Sequence, residues 1–147
     1  MKQAPQIVEE AKRLLVAIDR AVDDFPQKAR YLLGQDLRRD AMDAALLAQQ
    51  AFLAARQPAL LLEHLQALAK VTDRMRLAIQ LAHERQCIQN WNVFNALARS
   101  RDALGRQCGG WIKEAQKHLQ GQNPAAFARR ERPETLSAQA ASAGANP

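Results

Sequence analysis

Arg99, Arg106, Lys113 and Lys117 stand seven, seven and four residues apart, a spacing that lines cations along one stripe if the segment is helical. The chemistry open to such a stripe is electrostatic, pairing guanidinium and ammonium groups with phosphates or with an acidic protein surface. Arg74 and Arg76 flank Met75, and Arg38 and Arg39 follow Leu37, which extends the set of candidate contacts to two further segments. An ordinary solvated face is the competing reading. Against it stands a weak acidic counterbalance, because between residues 91 and 120 five cations meet only Asp102 and Glu114. The whole chain carries a net charge of +6, so its field attracts polyanions or an acidic protein.

Residues able to make or break bonds are scarce. A carboxylate-bridged metal centre in a helical core needs Glu-x-x-His pairs that project together. Glu63-His64 and His83-Glu84 are sequence neighbours that point in different directions on a helix, and His118 has no acidic residue three positions before it. Ser100 and Ser137 lack a nucleophile-elbow context, and the chain has neither a phosphate-cradling glycine loop nor an HExxH pattern. Cys87 and Cys108 lack CxxC spacing, which suits two small, reduced, partly buried thiols in the cytosol. The expectation is a protein with no catalytic residue, no metal and no cofactor.

The elements that position the cations read as helices. Apolar residues make up 48% of the 147, yet only 5% are aromatic and Ala and Leu dominate, which favours interlocked helices over sheets. Ile7, Ala11, Leu14, Leu15, Ile18 and Val22 recur at three-to-four-residue spacing and predict a helix over about 5–24. Phe25-Pro26 stops it, and Pro26 is placed to open a second helix over about 27–56. That helix is alanine-rich from Ala41 to Ala55, with Leu37, Leu46, Leu47, Phe52 and Leu53 supplying bulk. Gln57-Pro58 repeats the break, and Leu61, Leu65, Leu68, Thr72, Met75, Ile79 and Ala82 form a heptad-like seam over about 58–85. Asn90 is a good cap for a fourth helix over about 90–120.

Short, proline-marked connections make sequential helices antiparallel, so residues 1–120 predict an all-α, up-down, antiparallel four-helix bundle. Gly121, Asn123 and Pro124 are expected to end it, and 121–147, without an apolar stripe, reads as a disordered tail. No unbroken apolar run exceeds five residues and no apolar leader follows Met1-Lys2, so the expected location is the cytoplasm, off the membrane.

Within the fourth helix, Leu104-Gly105-Arg106-Gln107-Cys108-Gly109-Gly110-Trp111-Ile112-Lys113 is unusual. Each interior helical glycine costs about 1 kcal/mol relative to alanine, so Gly105, Gly109 and Gly110 are expected where another helix or subunit comes close. Trp111 continues the Phe94, Leu97, Leu104, Cys108 seam and is expected to pack in the core or a subunit interface, although Trp91 and Trp111 also have the chemistry to stack on bases. Arg101 falls on that same seam, where it must snorkel, find an acidic partner or face another subunit.

Two motifs carry a family resemblance. Phe25-Pro26-Gln27-Lys28-Ala29-Arg30-Tyr31-Leu32-Leu33-Gly34 resembles the FPK-x-x-R-x-x-L-G opening of helix two in the accessory variability determinant proteins of diversity-generating retroelements. The Leu104–Lys113 run resembles their GR-x-x-GGW-(I/L)-K segment, and Arg74-Met75-Arg76-Leu77-Ala78 is similar to a stretch on their third helix, so the likeness spans about residues 8–117. Asp40, Asp43, Gln80, Gln86 and Gln89 match no family pattern. A related group encoded in ribosomal RNA intervening sequences carries S-I-P-x-N-I-A-E-G in helix two, where this chain reads Ala41-Met42-Asp43-Ala44-Ala45-Leu46-Leu47-Ala48. The resemblance implies a four-helix bundle assembled as a basic, five-subunit, barrel-like ring, with reverse transcriptase and RNA or DNA as partners. It implies a non-enzymatic role in mutagenic reverse transcription; the alternative is a basic bundle that acts as a protein scaffold or as an RNA-binding protein of the intervening-sequence type.

Overall fold

Ile7, Ala11, Leu14, Ile18 and Val22 all lie on the buried face of α1 (Gln3–Asp23) in a computed structural model that describes residues 3–122. Period-3.6 spacing puts these side chains on one stripe, and that stripe is the one the bundle covers. The chain then reverses through Phe25, itself buried in the core. Pro26 sits just outside the next helix as its cap residue, with φ −53° and an extended ψ of 146°, and its carbonyl accepts the Arg30 N–H at 3.0 Å. Proline therefore ends the reversal here, one position earlier than the expected first helical residue.

Helix α2 is built from three continuous pieces, the turn Gln27–Ala29, a π-helical segment Arg30–Gly34 and the α-helical run Gln35–Leu53. Its core face is made of Leu37, Ala41, Ala44, Ala48 and Ala51, all at most 1% exposed. With 100° per residue, that choice turns Met42, Leu46 and Leu53 to the opposite side. Leu46 is 53% and Leu53 70% exposed, and Phe52 is exposed as well, so of the expected bulky residues only Leu37 and Leu47 reach the interior. Alanines won the core because they let the neighbouring helices close on α2.

One glycine is required by that closeness, and it is Gly34. A Cβ built there would lie 2.6 Å from Val22 Cγ1 and 3.4 Å from the Ala29 carbonyl oxygen. The π-helical turn carries α2 across the end of α1 at this point.

Helix α3 (Pro58–Glu84) begins with proline at its first turn, where the missing N–H has no intrahelical partner to lose. Every residue of its predicted seam, from Leu61 to Ala82, is buried. Gln86 then adopts a left-handed conformation, φ 64°, that reverses the chain and lets the N–H groups of Cys87 and Ile88 reach the Ala82 carbonyl at 2.8 and 3.3 Å. Cys87 and Ile88 thereby close one end of the core.

Helix α4 (Trp91–Gln122) starts where Asn90 caps it, the Asn90 Oδ1 accepting the N–H groups of Asn92 at 2.8 Å and Val93 at 3.3 Å. The helix continues through Gly121, which does not stop it; Asn123, Pro124 and the rest of the expected tail lie outside the described residues. Leu97, Leu104, Cys108, Trp111 and Ala115 form its buried face.

Helices adjacent in sequence are neighbours in space, and α4 returns to pack on α1. Two contacts fix the α3–α4 register: Cys108 Sγ donates to the Leu65 carbonyl at 3.2 Å, and Arg101 Nη1 donates to the Thr72 carbonyl at 3.1 Å. Seven residues forward on α3 match seven residues backward on α4, which is antiparallel packing. Among the described residues there is no helix long and apolar enough to cross a membrane.

Candidate nucleic-acid interface

The buried face of α4 determines where its cations go. Leu97, Leu104, Cys108, Trp111 and Ala115 point into the bundle, so Arg99, Arg106, Lys113 and Lys117, half a turn around, point out. All four are exposed, and none forms an ion pair among the described residues.

Cations on α2 and α3 behave differently. Arg38 Nε donates to Asp19 Oδ1 at 2.7 Å and its Nη2 to Asp23 Oδ1 at 2.8 Å, tying α2 to the end of α1. Arg39 pairs with Asp36 one turn before it. Arg74 reaches from α3 to α2, where its Nη2 and Nε donate to Asp40 Oδ1 at 2.7 and 3.2 Å, while the Asp40 side chain is only 8% exposed. Hydrogen bonds and charge from Asp40 hold the Arg74 pKa above an arginine's ordinary value. Arg38, Arg39 and Arg74 thus serve the subunit's own carboxylates, and of the candidates off α4 only Arg76 is exposed without an ion pair among the described residues.

Arg76 stands at the rim of a groove of about 640 Å³ between α3 and α4. Arg106 stands on its α4 side, and Ala69, Ala98, Gly105 and Gly109 keep its walls low. Arg101 also lines it. The residue is 3% exposed, and its guanidinium pairs with Asp102 through Nε at 3.0 Å and through Nη2 and gives one further N–H to the Thr72 carbonyl. Of the three expected fates of Arg101, pairing is the one found. Gly105 leaves the space beside this guanidinium open, a Cβ there falling 3.8 Å from Nη1.

Gly109 and Gly110 do not serve packing among the described residues, where a Cβ at either would meet nothing within 4 Å. Trp111 does, being 2% exposed. Burial likewise pushes the Cys108 thiol up to about 12, helped by the charge of Asp73, so this cysteine is a protonated donor inside the core. No group of three His, Cys, Asp or Glu side chains able to hold a metal ion occurs among the described residues.

One cluster escaped the reading of the sequence. His83 at the end of α3 stacks on Phe94 with ring centroids 4.1 Å apart, and Trp91 leans on both at 5.5 and 5.4 Å. The signal was present in the short break between Glu84 and Trp91, which obliges the aromatic residues on its two sides to meet. No family model, no curated protein and no solved structure matches the chain.

Proposed function

We propose that this chain is a non-enzymatic accessory protein of a diversity-generating retroelement, holding reverse transcriptase and nucleic acid together in the cytoplasm while the polymerase supplies the chemistry. The observation that carries the binding half of this reading is the unpaired, outward stripe of Arg99, Arg106, Lys113 and Lys117 on α4. Cations already engaged by carboxylates have little to offer a phosphate; these four have no ion pair among the described residues, and they lie at helical spacing along one line. The retroelement assignment rests on the Phe25–Gly34 and Leu104–Lys113 motifs. Assembly into a homo-oligomer, a pentamer by that resemblance, is supported by the Met42, Leu46 and Leu53 stripe, which stays exposed among the described residues.

Purified protein mixed with naked RNA or DNA, polymerase absent, tests the reading. Log affinity should fall linearly with log salt, and Lys113→Gln or Arg99→Gln should each flatten the slope by about one unit. Arg38→Gln should leave the slope nearly unchanged, because its guanidinium is held by Asp19 and Asp23. Binding to reverse transcriptase with no affinity for naked nucleic acid would replace this reading with that of a protein scaffold.

A further inference from the structure

Trp91 is 59% exposed although the chain has a second tryptophan fully inside the core. It is also braced. Phe94 and His83 support the indole from within the subunit, the His83 Nδ1 lies 3.1 Å from the Ile88 carbonyl, and the Asn90 cap fixes the first turn of α4 beneath it. An aromatic face that is both rigid and open is suited to stacking, since little entropy is lost when a ring settles on it.

Its position on α4 gives the stacking surface a direction. Trp91 precedes Ala98, Asp102, Gly105 and Gly109 by seven, eleven, fourteen and eighteen residues, so all five share one side of the helix. The last four line the α3–α4 groove, and Phe94, against which Trp91 packs, lines it at the near end. The groove therefore leads from the indole along α4 between Arg76 and Arg106, neither of which forms an ion pair among the described residues. Arg101 lies in its wall, already balanced by Asp102, which leaves Asp73 as the one lining carboxylate without an ion pair among the described residues.

We propose that Trp91 and this groove form a binding site for single-stranded nucleic acid, one unpaired base stacking on the indole and the adjoining phosphates passing between Arg76 and Arg106. Paired bases cannot use such a site, because in a duplex both faces of each base are covered by its neighbours. The low walls at Ala98, Gly105 and Gly109 leave room for the sugar-phosphate backbone. The inference rests on the reading of α4 as a nucleic-acid interface, and Arg106 belongs to both surfaces.

The test uses the full chain with oligothymidylate, with its duplex with oligoadenylate, and with polyglutamate as an acidic protein mimic. Oligothymidylate should quench tryptophan emission, and Trp91→Phe should abolish the quenching while keeping most of the affinity, because Trp111 is buried and reports little. Trp91→Ala should weaken single-strand binding about five- to 150-fold, with duplex binding unchanged. Arg76→Gln, which breaks no ion pair or hydrogen bond among the described residues, should weaken it with the helix content intact, and Asp73→Asn should tighten it. Unaltered single-strand affinity in Trp91→Ala, or a preference for the duplex, overturns the site yet leaves the α4 stripe as the interface. Quenching by polyglutamate equal to that by oligothymidylate overturns it in favour of an acidic protein. Absence of binding to every nucleic acid overturns both readings.

Discussion

Gly34→Ala and Gly110→Ala add the same methyl group to one subunit and should move its stability in opposite directions. Each replaces a glycine inside a helix, a change that favours folding by about 1 kcal/mol where the new methyl meets nothing. At Gly110 it meets nothing within 4 Å, so the full gain is expected. At Gly34 it would lie 2.6 Å from Val22 Cγ1, about 1 Å inside a comfortable carbon–carbon contact. Val22 is stiff at χ1 and fully buried, so it cannot swing aside, and α2 must lift from α1 at a cost of about 1–3 kcal/mol. Because the propensity gain is common to both variants, the difference between them isolates the overlap, about 1–3 kcal/mol. Urea unfolding followed by circular dichroism reads it from the midpoints, provided the slopes agree. Adding Val22→Ala to Gly34→Ala should recover part of the loss as a favourable coupling. Equal midpoints for the two glycine variants would refute the packing argument. A gain at Gly110 that fades as protein concentration rises would place another copy of the chain against that glycine.

The other predictions concern the polar contacts. Arg74→Leu should destabilise the fold by about 1–3 kcal/mol in chemical unfolding, because it leaves the buried Asp40 carboxylate without its partner, whereas Arg74→Leu with Asp40→Leu should restore most of that loss. Cys108 has a folded-state pKa raised from 9.0 to about 12, so the neutral thiol it requires is fully present below pH 9 and lost as pH rises toward 12; stability should fall across that window, and Cys108→Ala should remove this share of the decline. Asn90→Ala should cost about 1 kcal/mol by unsealing the N–H groups of Asn92 and Val93, read as a lower thermal midpoint with helix content at low temperature unchanged.

Apolar periodicity made the helices readable, since burial of one face is the force that forms them and that face is written in the spacing of Ile7 to Val22 and Leu61 to Ala82. It failed on α2 because alanine and leucine compete for the same interior there. Spacing alone does not say that close approach outweighs bulk, and Leu46 and Leu53 lie outside. The glycines are hard to read for a related reason. A glycine's propensity cost is the same wherever it stands, while the need for it depends on what lies opposite; Val22 lies opposite Gly34, and nothing among the described residues lies within 4 Å of a Cβ at Gly110.

Which cations are free was the least readable property, because it is decided by carboxylates far away in the chain. Asp19 and Asp23 find Arg38 across the first turn, and Asp40 finds Arg74 across 34 residues. Such pairing engages charges of both signs and leaves the net +6 untouched, so it does not weaken the basic field; it relocates it. Counting residues spreads candidate contacts over α2, α3 and α4. Once the pairs are formed, the free positive charge among those candidates is on the outer stripe of α4 and at Arg76 across the groove, and that residual pattern, more than the total, is what an anionic strand would meet.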